Sequence, residues 1–97
     1  MSYNIEVRPL AALEIIEAYD WYESQRRGLG HTFLTDLETF YDSLLVNPFT
    51  HSYYKNNVRQ GILHKFPYTV VYEVFGNAIV VYSVFMDRRD PEKKRTG

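Results

Sequence analysis

The sequence predicts one α+β domain of order β-α-α-β-β-β: an N-terminal strand and an antiparallel helical hairpin packed on an antiparallel β-sheet from the C-terminal half. Three observations predict it. Apolar residues recur at helical spacing between Leu10 and Val46. The pattern changes to alternation and to β-branched and aromatic runs between Val58 and Met86. Pro9, Gly28-Leu29-Gly30, Asn47-Pro48, Pro67 and Gly76-Asn77 punctuate the boundaries. A chain of 97 residues has room for one core, so 1–97 reads as a single domain.

The first strand is Tyr3-Asn4-Ile5-Glu6-Val7-Arg8, where apolar and polar residues alternate. Pro9 ends it and suits the first turn of a helix. From Leu10 to about Arg26, Ala11, Ile15, Ala18 and Tyr22 form an apolar stripe that Leu13 and Ile16 are expected to widen; Glu14, Glu17 and Glu23 fall mostly off it. After the glycine break, His31 to Val46 places Phe33, Leu37, Phe40 and Leu44 on one face. So short a break makes the two helices a hairpin. Residues 49–56 read as an irregular loop. Val58 to Phe66, Tyr68 to Phe75 and Ala78 to Met86 are the strands of a meander, the last two joined by a two-residue hairpin at Gly76-Asn77. Residues 87–97 form a charged tail containing Pro91.

Composition narrows the function classes. The chain is 45% hydrophobic and 24% charged, the profile of a folded globular protein. It has no cysteine, so disulfides and thiolate metal sites are excluded. No apolar run reaches membrane-spanning length and no signal pattern opens the chain, so a cytoplasmic location without membrane association is expected. The net charge of -1 conceals an asymmetry: residues 1–48 hold eight acids and three bases, residues 49–97 eight bases and four acids. Such a split gives one side suited to an acidic partner.

Histidines at 31, 51 and 64 lack ligand-like spacing, so neither a metal nor a cofactor is expected. Asp20, Glu23, Asp36 and Asp42 read as solvated helix residues. The cations carry more information. Arg59 shares a strand face with Leu63 and Lys65, since side chains alternate along a strand, and Arg88-Arg89 follows the last strand. Arg59, Lys65, Arg88 and Arg89 are therefore candidate binding residues for phosphate or an acidic protein segment, through the forked contacts that guanidinium makes. For Arg59, pairing with an acid within the fold is an equal alternative. Lys93-Lys94-Arg95 serves solubility. Tyr53-Tyr54, Tyr68, Tyr72 and Tyr82 could stack nucleotide bases, though alternating aromatics on strands are ordinarily core.

Taken in order, Ala18-Tyr19-Asp20-Trp21-Tyr22-Glu23, Gly28-Leu29-Gly30, Phe33, Asn47-Pro48 and Val58-Arg59 resemble the RelE/ParE toxin superfamily. So do Lys65-Phe66-Pro67-Tyr68-Thr69-Val70-Val71-Tyr72, Val84-Phe85 and Arg88-Arg89-Asp90-Pro91. The likeness spans nearly the whole chain and is nearest the ParE-like, plasmid-stabilisation branch. It implies the toxin of a type II toxin-antitoxin system, neutralised by a cognate antitoxin whose segment wraps across it. RelE-like members cleave messenger RNA on the ribosome; ParE-like members poison DNA gyrase.

Cleavage through a 2′-hydroxyl needs a proton acceptor, a proton donor and cations for the charged phosphorane. At the positions where the RelE-like pattern places its basic residues this chain has Gln60, Ile62, His64 and Thr69, with Met86 where several relatives carry histidine and Lys94 where many carry tryptophan. Only His64 could move a proton. The resemblance therefore implies a non-catalytic toxin that binds a protein target such as gyrase. The alternatives are an endoribonuclease using His64, Arg59 and Arg88, in which RNA or the ribosome would be the partner, and a degenerate homologue kept for binding alone. The target, the antitoxin and the oligomeric state are not encoded in any pattern of the sequence.

Overall fold

The chain, described here by a computed structural model, has residues 2–87 placed. Its elements are β1 (Asn4–Val7), α1 (Pro9–Gln25), α2 (Leu29–Val46), β2 (Tyr53–Lys55), β3 (Val58–Ile62), β4 (Tyr68–Phe75) and β5 (Ala78–Met86). One five-stranded sheet has the order β1-β5-β4-β3-β2. The expected meander β3-β4-β5 is antiparallel throughout. β1 extends it in parallel, Asn4 opposite Ala78 through Val7 opposite Val81, so the sheet is mixed. Alternation announces a half-buried strand but carries no information on the direction of its neighbour.

The segment expected to be loop contributes β2, a three-residue edge strand paired with β3. Asn56 adopts a left-handed φ of 54° and closes the connection, a conformation asparagine tolerates better than most residues. At the other hairpin Gly76 has φ 57°, as a primed two-residue turn requires. The β4–β5 register shifts between Val71, opposite Ser83, and Tyr72, opposite Val81. Tyr82 is the additional residue, and its hydroxyl donates to Glu73 Oε1 at 2.8 Å.

The core follows the helical stripe of α2. Phe33, Leu37, Phe40 and Leu44 are all buried, together with Val70 and Tyr72 of β4 and Ile79, Val81 and Val84 of β5. α1 behaves differently from expectation. Ala11 and Ala18 are buried and Ile15 and Tyr22 pack against the core, but Leu13 and Ile16 are more than half exposed and do not widen the stripe. The hairpin explains why: α1 lies on α2 and β5 along its small-residue face, and close approach at Gly30, where an added Cβ would lie 2.8 Å from Tyr19 O, fixes that face. No described helix is long and apolar enough to cross a membrane.

Asp36 and Glu23, expected in solvent, and Glu14, expected off the apolar stripe, instead hold the framework. Asp36 is buried and accepts the backbone N–H groups of Lys65 and Phe66 at 2.8 and 3.0 Å. Glu14 Oε1 accepts Ser83 Oγ–H at 2.8 Å and Val84 N–H at 2.9 Å, beyond the point where β1 stops pairing with β5. Glu23 accepts Gly28 N–H at 2.9 Å and Gly30 N–H at 3.0 Å across the turn between the helices, where Gly28 has φ 88°. The Gly28 bond is the main cause holding the Glu23 carboxyl below the usual carboxylate range.

Candidate functional site

Arg59 is the second residue of β3. Gly61, two positions on, faces α2 so closely that an added Cβ would lie 2.6 Å from the Phe40 ring. Alternation therefore turns the Arg59 side chain to the same, helix-covered face. There it meets the segment leaving α2. Its Nη1 donates to Phe49 O at 3.2 Å and His51 O at 2.6 Å, and its Nη2 donates to Tyr53 Oη at 2.9 Å. The guanidinium carbon stands 4.1 Å from the Tyr53 ring centroid and 5.4 Å from that of Phe49, within the range of cation–π attraction. Tyr72 Oη adds a buried bond to Pro48 O at 2.8 Å.

These contacts answer the question the sequence left open for Arg59. Its fold partners are carbonyl oxygens and a phenol. None of them is an acid; three donors are engaged, and Arg59 is half-buried beneath Tyr53, which is 57% exposed. His51 lies beneath, its ring 5.1 Å from Phe40 and 6.2 Å from Tyr72. Burial first, then the Arg59 charge, lowers its pKa from the ordinary value, so the neutral imidazole is favoured. A groove of about 490 Å³ runs beside this cluster, lined by Thr50, His51, Ser52, Gln60, Gly61 and Ile62.

The other expected residues do not join Arg59. β3 ends at Ile62 and residues 64–66 bend, so Lys65 does not continue the strand face as alternation implied. Asp36 supplies the reason, because it draws the backbone of Lys65 and Phe66 toward α2. Lys65 and His64 are exposed in that turn. Arg88 and Arg89 lie outside the described residues.

The positions at which RNA chemistry would be sought are likewise dispersed. Gln60 and Ile62 lie on the sheet face away from α2, opposite Val71 and Thr69 respectively. Thr69 is buried, and its hydroxyl has no hydrogen-bond partner among the described residues. Among the described residues His64 has no side-chain hydrogen-bond partner. Of the tyrosines considered as base-stacking residues, Tyr68 and Tyr72 belong to the core, while Tyr53 and Tyr54 are exposed. Burial raises the Tyr72 hydroxyl to about 12, partly opposed by Arg59.

The sequence reading missed Asp36, Glu14 and His51. Two of these had a visible signal. Asp36 lies three residues after Phe33 and four before Phe40; Glu14 lies three after Ala11 and four before Ala18. Both therefore fall within the buried stripes, and a carboxylate there must find donors.

No family model matches the sequence, and no curated protein matches it. The fold does have a counterpart. A chain of the chromosomal ParDE TA system from P. aeruginosa superposes with a TM-score of 0.75, covering 87% of this chain and 95% of that one at 16% identity. At that identity the likeness concerns the fold: this chain shares the α+β fold of that ParDE-system chain, as its sequence resemblance implied.

Proposed function

We propose that the chain is the toxin of a type II toxin-antitoxin system, ParE-like in acting by binding a protein target and silenced by a cognate antitoxin. The observation that carries this reading is the fold shared over most of both chains with the ParDE TA system structure. The residue geometry supports binding over RNA cleavage. Arg59 is anchored to Phe49, His51 and Tyr53, His64 is exposed with no side-chain hydrogen bond among the described residues, and Ile62 and Thr69 offer no cation. DNA gyrase is the proposed target, the cytoplasm the proposed location, and stabilisation of a replicon the proposed biological role.

The antitoxin is proposed to approach the C-terminal half with an acidic segment. Between Ser43 and Tyr72 there is no acid, while Lys55, Arg59 and Lys65 are all basic. Arg59, Lys65, Arg88 and Arg89 are the proposed contacts. The test is affinity for the product of an adjacent short reading frame, with wild type compared with Lys65→Glu and Arg88→Glu. A loss of about tenfold or more per reversal, steeper at low salt, is expected. Unchanged affinity in both variants would remove these residues from the site.

A further inference from the structure

α1 buries little for a helix of 17 residues. Only Ala11 and Ala18 are buried, whereas Leu10 is 58% exposed, Leu13 53% and Trp21 56%. Successive helical residues turn by about 100°, so Leu10, Leu13, Glu17 and Trp21 lie along one ridge with Asp20 beside it. The ridge lies to one side of the buried alanines, and at its end Trp21 borders a hollow that it shares with Ala18, Tyr68 and Val84. An exposed face of leucines and tryptophan on so small a domain marks an association surface, and a tryptophan among aliphatic side chains is the kind of anchor that dominates binding energy.

The charges on this helix specify the occupant. α1 contains four acids, Glu14, Glu17, Asp20 and Glu23, and no base. Glu14 and Glu23 are turned to Ser83 and Val84 and to the Gly28–Gly30 turn. Glu17 and Asp20 are exposed on the ridge, with no hydrogen-bond or ion-pair partner among the described residues. A second copy docking through the same ridge would set these carboxylates against their equivalents, which is unfavourable. The helical backbone has its own hydrogen bonds satisfied, so an added strand gains nothing there, whereas the i, i+3, i+7 spacing accepts the side chains of another helix.

We infer that the Leu10–Leu13–Glu17–Trp21 ridge of α1 docks an amphipathic helix of a partner protein whose apolar seam is flanked by lysine or arginine. The ridge selects a partner of opposite charge to the one suited to the acid-free stretch between Ser43 and Tyr72. The chain thus carries two surfaces with opposite charge preference. This inference stands on packing and charge, independently of the toxin reading.

Trp21 is the only tryptophan, so its fluorescence reports on the ridge directly. The full chain is titrated with a synthetic tryptophan-free amphipathic helix of leucine and lysine, and with its leucine and glutamate counterpart. Binding is followed by Trp21 emission and by amide chemical shifts. The expected result is a blue shift with the lysine peptide only, and shift changes confined to α1. Binding should weaken about tenfold in Leu13→Asn, equivalent to about 1.4 kcal/mol. A Glu17→Lys/Asp20→Lys double variant should prefer the glutamate peptide. All three substituted positions are exposed, and unchanged circular dichroism verifies the fold. Absence of binding, equal binding of both peptides, indifference to Leu13→Asn, or a dimer of the chain that Leu13→Asn dissolves would each overturn the assignment.

Discussion

Asp36 in α2 accepts the backbone N–H of Phe66, thirty residues further along the chain, at 3.0 Å, and the neighbouring N–H of Lys65 through the same oxygen. This buried carboxylate sets where β3 stops and β4 begins, and so decides that Lys65 and His64 belong to a turn. Asp36→Ala leaves two amides without their acceptor and is expected to destabilise the chain by about 3 kcal/mol. Asp36→Asn retains an acceptor oxygen and should lose roughly 1 kcal/mol. Urea unfolding of the three proteins checks the order; equal stabilities would show that the turn is held elsewhere.

The anchoring of Arg59 gives a second expectation. Lysine keeps the charge but cannot reach Phe49 O, His51 O and Tyr53 Oη together. Arg59→Lys is expected to cost about 1–3 kcal/mol in urea unfolding and to raise hydrogen exchange in residues 49–55 before the core opens. Wild-type protection in that segment would contradict the role assigned to the guanidinium.

Close packing can be tested at the glycines. An alanine Cβ at position 30 would stand 2.8 Å from Tyr19 O, and at position 61 would stand 2.6 Å from the Phe40 ring. Both substitutions should destabilise by about 1–3 kcal/mol through overpacking. Gly30→Ala should do so despite the better helix propensity of alanine, because the obstructing atom is backbone. Thermal midpoints measure this, and a raised midpoint for Gly30→Ala would mean that the helices are not pressed together there.

The His51 environment sets a pH dependence. The folded chain favours the neutral ring, because burial and then Arg59 lower its pKa, so the unfolded chain takes up the proton more readily. This contribution is complete above the ordinary histidine value of about 6.5 and is lost as pH falls through the lowered folded value. Glu23 also has a lowered pKa, and its contribution fades only in the carboxylate range near pH 4 and below. Urea midpoints should therefore drop between pH 7 and pH 5 in wild type and stay flatter in His51→Gln. Identical slopes would remove His51 as the cause.

The sequence made every element but the edge strand β2 legible, and the α2 face with them, because Phe33, Leu37, Phe40 and Leu44 form an unbroken helical stripe whose burial needs no other information. It could not give the parallel placement of β1, since alternation is indifferent to strand direction. Nor could it separate Leu13 and Ile16 from the core, since hydropathy alone does not say which of two apolar faces meets the sheet; the small residues Ala11, Ala18 and Gly30 decided that by permitting close approach. At the candidate site, Arg59 was legible as a residue of consequence but its partners were not. Two of them are backbone carbonyls, which no side-chain pattern can reveal.

The central proposal is that this chain acts by binding protein and not by cutting RNA. Its most direct measurement is induced expression of the wild type and of His64→Ala in bacteria, with growth, DNA damage and full-length transcripts followed together. The account predicts growth arrest with DNA damage and intact transcripts in both, relieved by co-expression of the adjacent antitoxin. Rapid transcript cleavage that disappears in His64→Ala would contradict it.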